Sequence, residues 1–157
     1  MTATLAPTLT AEAVRTALTD VTDPEIPTVS IVDLGMVHDV AIDDATIRVE
    51  LLPTFVGCPA LDAIRVAVED RLGDFGRPVE VRFGFLVPWT TDRITAVGRE
   101  RLRRSGFAPP TDDPAEVACP YCGSGEVAMD NLFGPTQCRS LFYCRACRQP
   151  FESFKRV

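Results

Sequence analysis

The spacing of apolar residues changes period several times along this chain, and each change marks an element. Val14, Ala17, Leu18 and Val21 fall at i, i+3, i+4 and i+7, the stripe of an amphipathic helix. A first helix is therefore predicted over 11–21, with Thr10 as its cap and Glu12 in its first turn. Asp23-Pro24-Glu25-Ile26-Pro27 ends it, because proline cannot continue a helical hydrogen-bond ladder. Ile31-Val32-Asp33-Leu34-Gly35 reads as a turn punctuated by glycine. Residues 36–42 and 46–52 read as two strands, joined by a hairpin at Asp43-Asp44-Ala45. A second helix follows, with Cys58 as N-cap and Pro59 at its first position. Leu61, Ile64, Val68 and Leu72 form its apolar face, and Gly73 stops it. Residues 79–85 give a third strand. Thr91 is placed to cap a last helix over 92–104, which ends near Gly106 and carries Arg99, Arg101, Arg103 and Arg104 on its outer face. The order helix, strand, strand, helix, strand, helix predicts an α+β domain over 1–110, large enough for its own core. Pro109-Pro110-Thr111-Asp112-Asp113-Pro114 is a linker by composition.

Beyond that linker the pattern is set by cysteine. Cys119-Pro120-Tyr121-Cys122-Gly123 and Cys144-Arg145-Ala146-Cys147 are two Cys-x-x-Cys pairs. Two residues between paired cysteines let both sulfurs of one turn face a single ion, and four thiolates close a tetrahedral site. Residues 111–157 are therefore predicted to be a C-terminal zinc ribbon. Iron in a rubredoxin-like site is the alternative metal. Such a site has no open position, so it assigns a metal and a small fold rather than an activity. Phe142, Tyr143, Phe151 and Phe154 are expected to pack the ribbon, where metal stands in for much of a core.

Composition narrows the function classes. The 157 residues are 46% apolar and 24% charged, ordinary values for a globular chain. The opening Met1-Thr2-Ala3-Thr4-Leu5-Ala6-Pro7 lacks a basic stretch followed by a long apolar run, so it does not read as a secretory signal. No apolar run is long enough to span a bilayer. A cytoplasmic, reducing location is expected, in which six cysteines serve metal or thiol chemistry rather than disulfides. The net charge of −6 falls entirely within 1–112; residues 113–157 carry as many bases as acids. An acidic body and a neutral ribbon argue against a nucleic-acid partner, which needs a basic footprint. Neither a phosphate-binding Gly-x-x-x-x-Gly-Lys-[Ser/Thr] loop nor a dinucleotide Gly-x-Gly-x-x-Gly is present.

Few residues outside the ribbon could carry chemistry. Cys58 at a helix N-cap would have its thiolate favoured by backbone N–H groups and the helix dipole; a small buried cap residue is the plainer reading. Asp23 and Glu25 flank Pro24, where two carboxylates could bind a metal, assist a thiol or merely shape a turn. His38, the one histidine, suits an ordinary strand residue, and Trp89 a packing anchor for its loop. With one histidine, neither a two-histidine zinc protease nor a facial-triad iron site can be built. Cys138 is a spare thiol that could replace a ribbon ligand or join a second site.

Several motifs together resemble a known family. Asp23-Pro24-Glu25-Ile26-Pro27, Val29-Ser30-Ile31-Val32-Asp33-Leu34-Gly35 and Thr54-x-x-Gly57-Cys58-Pro59 resemble the SufT-like (MIP-type) domain, whose members act in iron–sulfur cluster assembly. Pro88-Trp89-Thr90-Thr91-Asp92 and Gly106-Phe107-Ala108-Pro109-Pro110 continue the likeness. The tail, with Phe133-Gly134-Pro135-Thr136-x-Cys138-Arg139-Ser140 and Pro150-Phe151-Glu152-x-Phe154-Lys155, resembles the ribbon of the PaaD family. Those are the D proteins of bacterial phenylacetyl-CoA ring-epoxidase systems. The resemblance implies an accessory protein of phenylacetate degradation, not catalytic alone, that serves the oxygenase and reductase components of the 1,2-epoxidase. It implies a site at Cys58, Asp23 and Glu25 that transiently holds iron or an iron–sulfur cluster. One thiol cannot satisfy a cluster, so further ligands must come from a partner or from a second copy in a homodimer. The ribbon, closed by zinc on Cys119, Cys122, Cys144 and Cys147, would dock the recipient. A structural subunit of the epoxidase without metal delivery is the alternative.

Overall fold

The computed structural model describes residues 8–157; the N-terminal heptapeptide, which does not read as a secretory signal, lies outside them. Helix α1 (Ala11–Ala17) is capped as expected, Thr10 accepting from the Ala13 N–H at 3.1 Å. It tightens into a 3₁₀ turn (Leu18–Asp20), so the predicted helix ends early, but the stripe holds: Val14, Ala17, Leu18 and Val21 are all buried. A hairpin absent from the sequence reading follows, β1 (Thr22–Asp23) and β2 (Ile26–Ser30). Asp23 closes its turn, Oδ1 accepting from the N–H groups of Glu25 at 2.8 Å and Ile26 at 3.2 Å.

The central sheet contains β3 (Val37–Ile42), β4 (Ile47–Leu51) and β5 (Val79–Phe83), in that order. The first two are antiparallel, as the hairpin predicted. β5 lies parallel to β4, an arrangement that needs a crossover, which helix α2 (Leu61–Gly73) supplies. Ile64, Val68 and Leu72 turn its apolar face into the core with Ile47, Val49 and Leu51 of β4. Cross-strand pairs Arg48–Glu80 at 3.1 Å and Arg82–Glu50 at 3.0 Å cover the sheet's outer side.

The last helix starts later than predicted. Thr91–Arg93 forms a separate 3₁₀ turn, and α3 (Ala96–Arg104) is capped by Thr95, whose Oγ1 accepts from the Gly98 N–H at 2.9 Å. Thr95 O–H in turn donates to Asp33 Oδ1 at 3.0 Å, fastening the cap to the turn before β3. Gly35 sits in that turn at φ 68°, and a Cβ there would lie 2.3 Å from the Arg93 carbonyl oxygen. The arginines of α3 are committed within the chain: Arg99 donates to the Pro110 and Thr91 carbonyls, Arg101 pairs with Asp33, and Arg103 and Arg104 pair with Glu100.

The ribbon sheet has the order β6 (Phe107–Ala108), β9 (Pro150–Phe154), β8 (Arg139–Cys144), β7 (Val127–Asn131). β6 pairs parallel to β9, so a strand from before the linker belongs to the ribbon sheet. Phe142 and Phe151 stack at 5.6 Å in a small core with Val117, Cys119 and Cys144. Tyr143 is exposed rather than packed. Phe154 leaves the ribbon core altogether, meeting Trp89 at 6.0 Å within the core of the first domain. Trp89 anchors its loop, its Nε1–H donating to the Leu34 carbonyl at 2.8 Å. Among the described residues no helix is long and apolar enough to cross a membrane.

Candidate metal centres

The four ribbon cysteines converge. Cys119 and Cys122 bracket a tight knuckle in which Gly123, at φ 76°, donates its N–H to the Cys119 carbonyl at 2.8 Å. Cys144 ends β8, and Cys147 lies in the turn to β9. All four sulfurs lie within 4.8 Å of one another, with Cys119–Cys147 and Cys122–Cys144 each at 3.6 Å. A zinc ion holding thiolates at about 2.3 Å sets neighbouring sulfurs about 3.8 Å apart. The spacing is thus that of a tetrahedral site and far longer than a disulfide bond. The donor set fits a soft divalent ion. Backbone N–H groups of Cys147 and Ala146 hold the Cys144 thiol down to about 7, despite burial. Burial, followed by the neighbouring thiols, pushes Cys147 up to about 12. A bound cation removes that conflict by displacing the protons, so metal uptake must release acid.

A second group of residues gathers where the two domains meet. Cys58 does not cap α2. It lies in the preceding turn, its carbonyl accepting from the Leu61 N–H at 3.3 Å, and Ala60 occupies the cap position. Its thiol is pushed up, not down: burial is the largest cause, and the charges of Glu25 and Asp23 add to it against one N–H donated by Ala60. The expectation of a helix-activated thiolate is corrected by that two-residue shift. Asp23 is also pushed up by burial and by neighbouring Glu25, although two N–H groups and Arg139 oppose. Cys58 and Glu25 line a cavity of about 180 Å³ together with Phe55, Thr136 and Cys138. Glu25, Asp23 and Cys58, singled out from sequence by motif alone, therefore stand together.

Sequence reasoning missed Arg139. Its side chain is 6% exposed and its guanidinium forks three ways. Nε donates to Thr136 Oγ1 at 2.8 Å, one Nη to Glu152 at 2.7 Å and the other to Glu25 at 3.2 Å. The same group lies 5.0 Å above the Phe107 ring. Its one sequence signal is its place in the ribbon motif between Cys138 and Ser140, which names no partner for it. Cys138, the spare thiol, is not in the ribbon tetrahedron; it faces the Cys58 cavity. His38 is a half-buried strand residue whose Nδ1 lies 3.3 Å from Arg93.

The fold and the four-thiol group have counterparts. A family described as "PaaD zinc beta ribbon domain" matches residues 106–155, and one described as "Iron-sulfur cluster assembly protein" matches residues 11–83. Over 98% of this chain and 96% of the relative, the sequence is 38% identical to an Escherichia coli (strain K12) protein named as one subunit of a "Putative 1,2-phenylacetyl-CoA epoxidase". It is 36% identical to the "Fe-S protein maturation auxiliary factor YitW" of Bacillus subtilis (strain 168), over 58% of this chain and 91% of that one. A crystal structure of a domain of unknown function, DUF59, from Bacillus anthracis matches with TM-score 0.54 at 28% identity, covering 58% of this chain and 89% of that one. The class so defined is an iron–sulfur assembly domain joined to a zinc ribbon. Within that class, the chain belongs to the PaaD family.

Proposed function

We propose that this protein is an iron–sulfur or metal maturation factor for a multicomponent phenylacetyl-CoA epoxidase. The observation that carries the reading is the cavity that sets Cys58 beside Glu25, with Asp23 close behind. Thiolate binds iron as a soft ligand, and the carboxylates favour a cation. The cargo, iron or a cluster, is held there transiently and passed on by ligand exchange. One zinc ion on Cys119, Cys122, Cys144 and Cys147 is structural, because no coordination position is left open. The ribbon around it docks the oxygenase or reductase component. The likeness to an iron–sulfur maturation auxiliary factor supports this reading.

The test is maturation itself. A cell carrying Cys58→Ala in place of the wild-type chain should accumulate epoxidase reductase short of iron and sulfide. A reductase fully loaded in that cell would contradict the reading. The name carried by the Escherichia coli relative favours a second account, a structural component of the epoxidase. That account requires stoichiometric co-purification with the oxygenase through size exclusion, whereas a maturation factor dissociates.

A further inference from the structure

Cys138 plays no part in the ribbon tetrahedron, and its surroundings are built. It shares the Cys58 cavity although 80 residues separate the two in sequence. Thr136 Oγ1 lies 3.2 Å from Cys138 Sγ. That oxygen already accepts the Arg139 Nε–H, so its own proton is free to be donated to the sulfur. A hydroxyl donor of this kind draws charge from a metal-bound thiolate and orients it. Arg139 also holds Glu25, so one buried guanidinium ties the carboxylate of the first domain to the ribbon strand that begins directly after Cys138. We propose that Cys138 is the second thiolate of the Cys58 site, and that the two domains of one chain together form a two-thiol seat for an iron–sulfur cluster. The proposal rests on the maturation reading and deepens it.

The geometry favours a cluster over a single ion. Among the described residues, only the four ribbon cysteines bring three or more ligand atoms within 4.8 Å. No three ligand atoms among Cys58, Cys138 and the nearby carboxylates lie that close, so this chain offers a single ion there at most two ligands. The cavity of about 180 Å³ equals the liquid volume of about six waters, room for a polynuclear cargo. Such a cluster brings its own bridging sulfides, so its protein ligands stand apart. Each cysteine sulfur displaces one donor-side ligand from an iron: an iron–sulfur bond to the cysteine forms, the donor's bond to that iron breaks, the thiol proton passes to solvent or to the released ligand, and no oxidation state changes. The remaining iron positions stay with the donor or the recipient, which lets the cluster leave by the reverse exchange.

Full-length zinc-loaded protein should be incubated without oxygen with equal amounts of ferrous and ferric iron and sodium sulfide, then desalted. Iron, sulfide and zinc are counted for wild type, Cys58→Ser, Cys138→Ser and Cys138→Ala. The proposal expects wild type to retain iron and sulfide, and both Cys138 variants to lose them to the level of Cys58→Ser. Zinc and melting temperature should match wild type in all three variants. Retention by the Cys138 variants with loss in Cys58→Ser would overturn the second thiolate while leaving the Cys58 reading intact. Retention by every variant, or by none including wild type, would overturn both. Loss of zinc in a Cys138 variant would make Cys138 a ribbon ligand and likewise overturn the proposal.

Discussion

At the scale of single residues, the candidate site gathers groups whose charged forms burial disfavours. The Cys58 thiol is pushed up by burial and by the charges of Glu25 and Asp23. Alkylating reagents attack the thiolate, so at pH 7–8 Cys58 should react more slowly than free cysteine. Mass spectrometry of the peptide carrying Cys58 checks this; faster reaction would contradict the burial argument. Asp23 is pushed up as well, so the folded protein binds its proton more tightly than the unfolded chain does. That contribution to stability is complete below the unfolded value of 3.8 and is lost as pH rises through the folded one. Above the folded value the buried carboxylate carries a charge that the fold favours less than the neutral acid. Asp23→Asn keeps an acceptor for the turn N–H groups and should melt higher than wild type at pH 7, with the gap closing as pH falls towards 4. Asp23, Glu25 and Cys58 were legible as one site through the family resemblance, whereas no local spacing put them together. Arg139, which binds Glu25 across 114 residues of sequence, could not be read from local pattern at all.

At the scale of elements, local chemistry decides where helices begin. Thr91 and Thr95 both stand where a cap is plausible, but only Thr95 receives the helix N–H and also grips Asp33. Thr91 is buried, and its hydroxyl reaches the Val157 carbonyl at 3.4 Å. Thr95→Ala should cost about 1 kcal/mol, roughly 2–4 °C in melting temperature for a chain of this size, with helix α3 the first to fray in hydrogen exchange. An unchanged melting temperature would show the cap to be redundant. The stripes of α1 and α2 were readable because period alone places an apolar face in the core. The start of α3 and the β1–β2 hairpin were not, because both depend on one hydroxyl or carboxylate choosing among competing N–H groups. Cys58 shows the same limit: a two-residue shift in where α2 begins leaves its sulfur the N–H of the cap residue Ala60 alone, which burial outweighs.

At the scale of the whole molecule, the ribbon and the α+β domain are stitched together in four places. β6 pairs with β9, Phe154 packs on Trp89, Arg139 holds Glu25, and the Thr91 N–H reaches the Val157 carbonyl at 3.2 Å. The four cysteines announced the ribbon by spacing alone, but nothing in the Pro-rich linker told that the chain on either side of it shares a sheet. We expect one cooperative unit: Cys144→Ala should abolish zinc binding and lower a single calorimetric transition. A ribbon that melts separately, leaving the first domain at its wild-type temperature, would contradict that coupling. Zinc affinity should also fall with pH across the neutral range, because Cys147, pushed up to about 12, must give up its proton to bind, and should fall more steeply below about 7, where Cys144 is protonated too. The central claim, that Cys58 receives an iron–sulfur cargo beside a structural zinc, is tested most directly by metal and acid-labile sulfide analysis. The protein is purified without oxygen, wild type beside Cys58→Ala. The account predicts one zinc per chain in both, with iron and sulfide in the wild type that vanish in the variant. One zinc and nothing else in both would contradict it and leave a structural component of the epoxidase.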